Sequence, residues 1–143
     1  MTPGQLAAIH AKAMSLPAPW NTNDFADLMK SIHVFDVPLK HAEVTVGFAL
    51  GRVVHDEAEL LTIAVLPEYQ RRGFGKSCLV RFEETARNHG ATLAHLEVAQ
   101  TNLGARALYE RQDWKETGRR RAYFRGPNGR IDAILMQKRL LPA

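Results

Sequence analysis

Ile63-Ala64-Val65-Leu66-Pro67-Glu68-Tyr69-Gln70-Arg71-Arg72-Gly73-Phe74-Gly75-Lys76 is the stretch on which the reading of this chain turns. An apolar run of strand character stops at Pro67, passes two arginines and two glycines, and enters an amphipathic helix. A glycine-rich turn that feeds a helix N-terminus offers several unpaired backbone N–H groups to an anion. The glycines let backbone approach a ligand where a side chain would block it. The stretch therefore reads as a phosphate or pyrophosphate cradle. It has neither the G-x-x-x-x-G-K-[ST] of a nucleotidase P-loop nor the third glycine of a dinucleotide-binding turn.

The chain has 143 residues, enough for one well-buried domain and too few for two typical ones, so a single domain over residues 1–143 is expected. Its hydrophobic (45%) and charged (24%) fractions are those of an ordinary globular protein. No run approaches the roughly 18 apolar residues of a membrane span. Met1-Thr2-Pro3-Gly4-Gln5 lacks the basic flank and apolar core of a secretion signal. One cysteine, Cys78, excludes an internal disulfide and a cysteine-only zinc site, so a cytoplasmic location without membrane association is expected. The net charge of +4 favours an anionic ligand. Arg71, Arg72 and Lys76 ring the glycine turn, while Arg119, Arg120, Arg121, Arg125 and Arg130 form a second group. RNA or a ribosomal surface would use that second group; a solvated face explains it equally.

Thr2, Pro3 and Gln5 have the pattern of a capped helix start, and Leu6, Ile9, Ala13 and Met14 give an apolar stripe up to Pro17. Asn23 or Asp24 is expected to cap a second helix carrying Phe25, Leu28 and Met29. Strands are expected at Ile32–Val37, Glu43–Val54 and Glu59–Leu66, the last two as a hairpin across His55-Asp56-Glu57. From Gly75 to His89 the period is helical, with Cys78, Leu79, Phe82 and Ala86 on one face and Arg81, Glu83, Glu84 and Arg87 on the other. Thr92–Ala99 alternates as a strand through Leu93, Leu96 and Val98, and Asn102 caps a helix to about Arg111. Trp114–Gly118 and Ile131–Lys138 read as final strands, with a turn at Gly126-Pro127-Asn128-Gly129. The fold class is α/β (α+β): a mixed, mostly antiparallel sheet flanked by helices, with a strand–helix–strand–helix centre.

Three polar residues follow the glycine turn at informative spacings. Glu97 lies between Leu96 and Val98 on a strand, Asn102 opens the next helix, and Tyr109 lies two helical turns further on the same face. If Glu59–Leu66 and Thr92–Ala99 are parallel neighbours, both following helices start at one end of the sheet, where open α/β sheets bind ligands. Glu97, Asn102 and Tyr109 would then converge beside the cradle. A solvent-facing strand glutamate and a packed helix tyrosine are the plain alternatives. Glu57 and Glu59 would attract a cationic amine or simply finish the hairpin. His55, His89 and His95 have no ligand spacing, so no metal is expected, and Cys78 packs.

Gln70-x-x-Gly73-x-Gly75 after a strand resembles the pyrophosphate loop of the GNAT family, the acetyl-coenzyme-A-dependent N-acetyltransferases. Asp56-Glu57-Ala58, Ile63-Ala64-Val65, Tyr69-Gln70-Arg71, Leu96-Glu97-Val98, Ala107-Leu108-Tyr109-Glu110 and Asp132-Ala133-Ile134 resemble the bacterial ribosomal-protein alanine N-acetyltransferases within it. Ala18-Pro19-Trp20 adds to the likeness, which covers more than half the chain. The resemblance implies a GNAT fold with a splayed parallel strand pair at the cofactor site, and acetyl-CoA as co-substrate. It implies Glu97 as general base and Tyr109 as general acid. It assigns Ile63, Ala64 and Val65 to pantetheine, Arg71, Arg72, Gly73, Phe74, Gly75 and Lys76 to pyrophosphate, and Asn102 to the cofactor. Chemically, a protonated amine must lose a proton before attack, the tetrahedral oxyanion needs a donor such as the Val65 N–H, and the leaving thiolate needs a proton.

The implied acceptor is a protein or peptide α-amine, with a ribosomal protein among the candidates. An α-amine suits the arrangement because its pKa is about 8, against about 10.4 for lysine, so one partly desolvated carboxylate with a raised pKa suffices. A small amine, a lysine or an aminoacyl-tRNA is the nearest rival acceptor. A non-catalytic module binding coenzyme A or RNA is the rival from another class, and intact Glu97 and Tyr109 argue against it. Nucleic acid is disfavoured as a partner, and a monomer or weak dimer is expected. Asp113-Trp114 replaces the family's usual Gly-Phe. Aspartate tolerates the left-handed turn, and the segment is expected to flank the acceptor groove.

Overall fold

The structure is a computed structural model that describes residues 1–14 and 18–140. Helix α1 (Pro3–Ala13) starts as the sequence predicts: Thr2 Oγ1 accepts the Gln5 N–H (3.1 Å) and Gln5 Oε1 accepts the Thr2 N–H (2.8 Å). It ends at Ala13; Pro17, the expected stop, lies outside the described residues. Helix α2 (Thr22–Met29) is capped by Asn21, not by Asn23 or Asp24. Asn21 and Asp24 exchange two 2.9 Å bonds, which satisfies two orphan donors where a later cap would satisfy one.

Six strands follow: β1 (Val34–His41), β2 (Val44–Val54), β3 (Glu57–Val65), β4 (Leu93–Ala99), β5 (Lys115–Gly126) and β6 (Gly129–Arg139). Helix α3 (Phe74–Asn88) joins β3 to β4, and α4 (Leu103–Arg111) follows β4. The sheet order is β1-β2-β3-β4-β6-β5, and only the β3–β4 pair is parallel. This is the mixed, mostly antiparallel sheet expected. Strand β1 begins later than expected, leaving Ile32 exposed in a turn, and continues through Pro38. It is an edge strand, where a residue without an N–H is tolerated. Strand β5 runs well past Gly118 through the arginine run, because an exposed edge accepts charge that a central strand would not.

The sheet has a core on each face. Leu6, Ile9 and Phe25 from α1 and α2 pack on Phe48, Leu50 and Ala64. Leu79, Phe82 and Ala86 of α3 and Tyr109 of α4 pack on Leu60, Leu96 and Val98. Two expectations change here. Leu93 does not share a face with Leu96 and Val98; Ala94 takes that place in the buried alternation. Glu83, expected on the polar face of α3, is buried. Its carboxylate accepts from Lys138 Nζ (2.6 Å) and Trp114 Nε1 (3.2 Å), so a charge is held inside by a paired charge and a donor. No helix among the described residues is long and apolar enough to cross a membrane.

Candidate active site

A break in the sheet makes the site. Strands β3 and β4 pair at Glu57 with Leu93, Ala58 with Ala94 and Glu59 with His95, and no further. Beyond Glu59, Leu60 and Thr62 face the consecutive β2 residues Gly51 and Leu50, so Leu61 is an extra residue, a β-bulge. A bulge bends its strand, and here the bend falls where β3 leaves β4. Past it, Gly47 lies opposite Val65, and the Leu66 N–H bonds the Val46 carbonyl (2.8 Å). That pattern makes Gly47 and Val65 a non-hydrogen-bonded pair. The peptide groups of Val65, and of Ile63 two residues earlier, therefore point away from β2 into the gap. Gln70 Nε2 takes the Val65 carbonyl (2.9 Å), leaving the Val65 N–H facing the gap. Ala64 is opposite in character: its backbone pairs with Phe48 and its methyl is buried under α1 and α2.

A cavity of about 430 Å³ occupies this gap. Of the residues singled out from sequence it brings together Ile63, Glu97, Asn102 and Tyr109. It does not include Ala64, Val65 or Arg71–Lys76. Glu97 alternates with Leu96 and Val98, so it projects to the α1/α2 face, whereas Tyr109 enters from the α3/α4 face. The opening between β3 and β4 connects the two.

Glu97 is open to solvent, and its Oε1 lies 3.0 Å from Arg120 Nε on β5. Tyr109 is 5% exposed and packs against Trp114, with ring centroids 6.1 Å apart. Burial pushes its phenol above the ordinary tyrosine range, so it is protonated at neutral pH. No described residue hydrogen-bonds its hydroxyl. Asn102 Oδ1 caps α4 through the Ala105 N–H (3.2 Å), which leaves its amide nitrogen for the cavity. Asp113 adopts the left-handed conformation as expected (φ 68°). Trp114 does not flank the groove: it is buried behind Tyr109, its indole N–H turned to Glu83.

Sequence reasoning missed His10, Trp20, Thr62, Arg120 and Tyr123, all of which line the cavity. His10 was visible as the i+4 partner of Leu6 on the buried stripe of α1. Its Nδ1 accepts the Trp20 N–H (2.9 Å), so the ring proton sits on Nε2 and is donated to Thr62 Oγ1 (2.9 Å). Burial pushes its pKa down to about 4. Arg120 was hidden in a run of three arginines. Glu59, left between two roles, pairs with Arg52 at 2.7 Å and also borders the cavity.

The glycine turn has the backbone of a cradle. Arg71 (φ 62°) and Gly73 (φ 85°) are left-handed, and Gly73 starts α3 without a side-chain cap. Between the Gln70 N–H, bonded to Pro67, and the Ser77 N–H, bonded to Gly73, the six amides of Arg71–Lys76 find no acceptor among the described residues. The Arg72 guanidinium lies 5.4 Å from the Tyr69 ring centroid and 5.5 Å from that of Phe74, which holds it beside the turn. The Phe74 ring packs toward the core, so only its backbone is offered. A Cβ on Gly75 would stand 3.4 Å from Leu108, so the first turn of α3 lies against α4.

The chain matches the family profile described as "Acetyltransferase (GNAT) family" over residues 7–114. It is 35% identical over 130 residues to the [ribosomal protein bS18]-alanine N-acetyltransferase of Escherichia coli K12, covering 91% of this chain and 87% of that protein. It is 35% identical over 111 residues to the N-alpha-acetyltransferase RimI of Mycobacterium tuberculosis H37Rv, covering 75% and 68%. The crystal structure of the Escherichia coli ribosomal-protein-S18-alanine N-acetyltransferase superposes with a TM-score of 0.87 at 34% identity, covering 96% of this chain and 86% of that one. With the profile spanning most of its length and a relative above 30% identity along nearly all of it, the chain belongs to the GNAT family of N-acetyltransferases.

Proposed function

We propose that this enzyme transfers the acetyl group of acetyl-CoA to the N-terminal α-amine of a protein, with ribosomal protein S18 as the first acceptor to test. The observation that carries the reading is the cavity through the parted strands, which joins a carboxylate on one face of the sheet to a protonated phenol on the other. The acceptor is taken from the two relatives above, one named a ribosomal protein bS18-alanine N-acetyltransferase and the other an N-alpha-acetyltransferase.

In this reading the six free amides of Arg71–Lys76 and the guanidinium of Arg72 hold the pyrophosphate, as helix N-termini hold anions. Ile63 and Val65 turn peptide groups to the pantetheine arm, and Asn102 offers its amide. Glu97, directly or through a water, takes a proton from the acceptor ammonium. The freed amine attacks the thioester carbonyl, whose developing oxyanion is received by the Val65 N–H. The carbon–sulfur bond breaks, Tyr109 gives its proton to the departing thiolate, and the excess proton still carried by the attacking nitrogen restores the phenol as the neutral amide forms. An α-ammonium releases its proton about 2.4 pK units more readily than a lysine, roughly 3 kcal/mol, which favours the N-terminus.

Acetyl transfer to peptides beginning with Ala, Ser, Gly or Met, compared with N-blocked, lysine-containing versions, tests the reading. Turnover is expected on the free N-termini and to fall by at least a hundredfold with Glu97→Gln or Tyr109→Phe, the range of general acid–base effects. Equal rates on blocked peptides would refute the α-amine, and unaltered turnover in both variants would refute the mechanism. Coenzyme A binding without any transfer would favour a binding module.

A further inference from the structure

We infer that Arg120 is a guard on Glu97: it occupies the carboxylate while no acceptor is bound and is displaced by the acceptor's ammonium. The inference rests on the reading of Glu97 as the proton acceptor. A base facing an open cavity next to a thioester can activate water as well as an amine. Water attack would form acetate and free thiol: one water proton passes to Glu97, the thiolate takes the Tyr109 proton, and the remaining acid proton restores the phenol. Such an enzyme would waste its donor unless the base were engaged between turnovers.

The geometry points to Arg120 for that task. Its Nε lies 3.0 Å from Glu97 Oε1, and both residues line the cavity. Its guanidinium also lies 5.3 Å from the Tyr123 ring centroid, on the same wall. The strand that carries it is shaped for this placement. Arg120 and Phe124 face Ala133 and Ile131, so Arg121, Ala122 and Tyr123 bulge opposite the single residue Asp132. Asp132 fastens the bulge: Oδ1 accepts the Ala122 N–H (2.9 Å), at a left-handed residue (φ 53°), and Oδ2 lies 3.5 Å from Arg119 Nη1. The neighbouring arginine is thus held by a different acid, and Arg120 is left to Glu97.

The pair is placed to open. The Arg120 side chain is 56% exposed and that of Glu97 28%, so the contact sits at the solvent boundary, where ion pairs are weak. An ammonium arriving at Glu97 exchanges one cation for another, whereas an uncharged acceptor leaves the guard in place.

Kinetics of Arg120→Ala and Arg120→Lys test this, with an alanine-terminal peptide as acceptor and thiol release followed with and without it. Arg120→Ala should lower the peptide KM and raise acceptor-independent thiol release, each by roughly 1.5- to 5-fold, the range of an exposed pair. Arg120→Lys should return both toward wild type, which a purely structural role would not produce. A raised KM, or thiol release no faster than wild type, overturns the guard. Calorimetric peptide affinity in the presence of coenzyme A separates the guard from the base. Arg120→Ala should tighten binding with Glu97 present and have no effect in the Glu97→Gln background; equal effects in both overturn the guard. Transfer retained by Glu97→Gln would refute the base alone.

Discussion

His10 makes the stability of this enzyme sensitive to mild acid, and the size of the effect follows from its surroundings. The ring is 1% exposed, between the indole of Trp20 and the phenyl rings of Phe25 and Phe48. Burial lowers its pKa from 6.5 to about 4. The folded protein therefore binds fewer protons here than the unfolded chain, so this contribution is fully present above about pH 6.5 and is lost as pH falls toward 4. At 1.36 kcal/mol per unit, the loss is about 2 kcal/mol by pH 5 and about 3 kcal/mol by pH 4. Protonation of Nδ1 also removes the acceptor of the Trp20 N–H. Urea unfolding of wild type and His10→Gln at pH 7, 6 and 5 isolates the effect, because the carboxylates titrate alike in both. The variant should be less stable at pH 7, and the gap should narrow by about 2 kcal/mol at pH 5. Parallel curves would refute the reasoning.

Three further variants probe the frame around the site. Lys138→Met leaves the buried Glu83 carboxylate without its cation and should cost about 3 kcal/mol, lowering Tm by roughly 10 °C in a thermal melt. The double substitution Glu83→Met, Lys138→Met should be more stable than that single variant, since no uncompensated charge remains. Gly73→Ala meets no steric obstacle, yet its φ of 85° should cost about 1 kcal/mol and raise the KM for acetyl-CoA. Lost stability with an unaltered KM would show that the turn does not hold the donor.

The strands and helices were largely legible because each apolar period was long enough to declare itself. The cap of α1, the α3 face through Leu79, Phe82 and Ala86, and the Gly126–Gly129 turn stand as read. Glu83 was misplaced because helical period separates faces but cannot show that a lysine from β6 and a tryptophan after α4 converge on one carboxylate. The bulge at Leu61 left a trace, a shift of apolar positions from Ala58 and Leu60 to Ile63 and Val65. That trace is ambiguous in a strand buried on both sides. Glu97, Asn102 and Tyr109, which share the cavity wall, were singled out through helical spacing and parallel-strand logic, together with family resemblance. His10 and Arg120 escaped because their roles depend on partners 52 and 23 positions away in sequence, Thr62 and Glu97.

The parting of β3 from β4 is a property of the main chain, and this has a consequence for how the enzyme can change. The opening and its inward-facing amides at Ile63 and Val65 survive almost any side-chain replacement there, proline excepted, because no side chain creates them. The walls are the reverse: Trp20, Arg120 and Tyr123 present side chains. In the proposed reading, substitution can therefore redraw the preferred acceptor over many generations while the backbone assigned to the donor stays intact. A laboratory programme to alter selectivity would begin at those three positions and leave residues 60–66 alone.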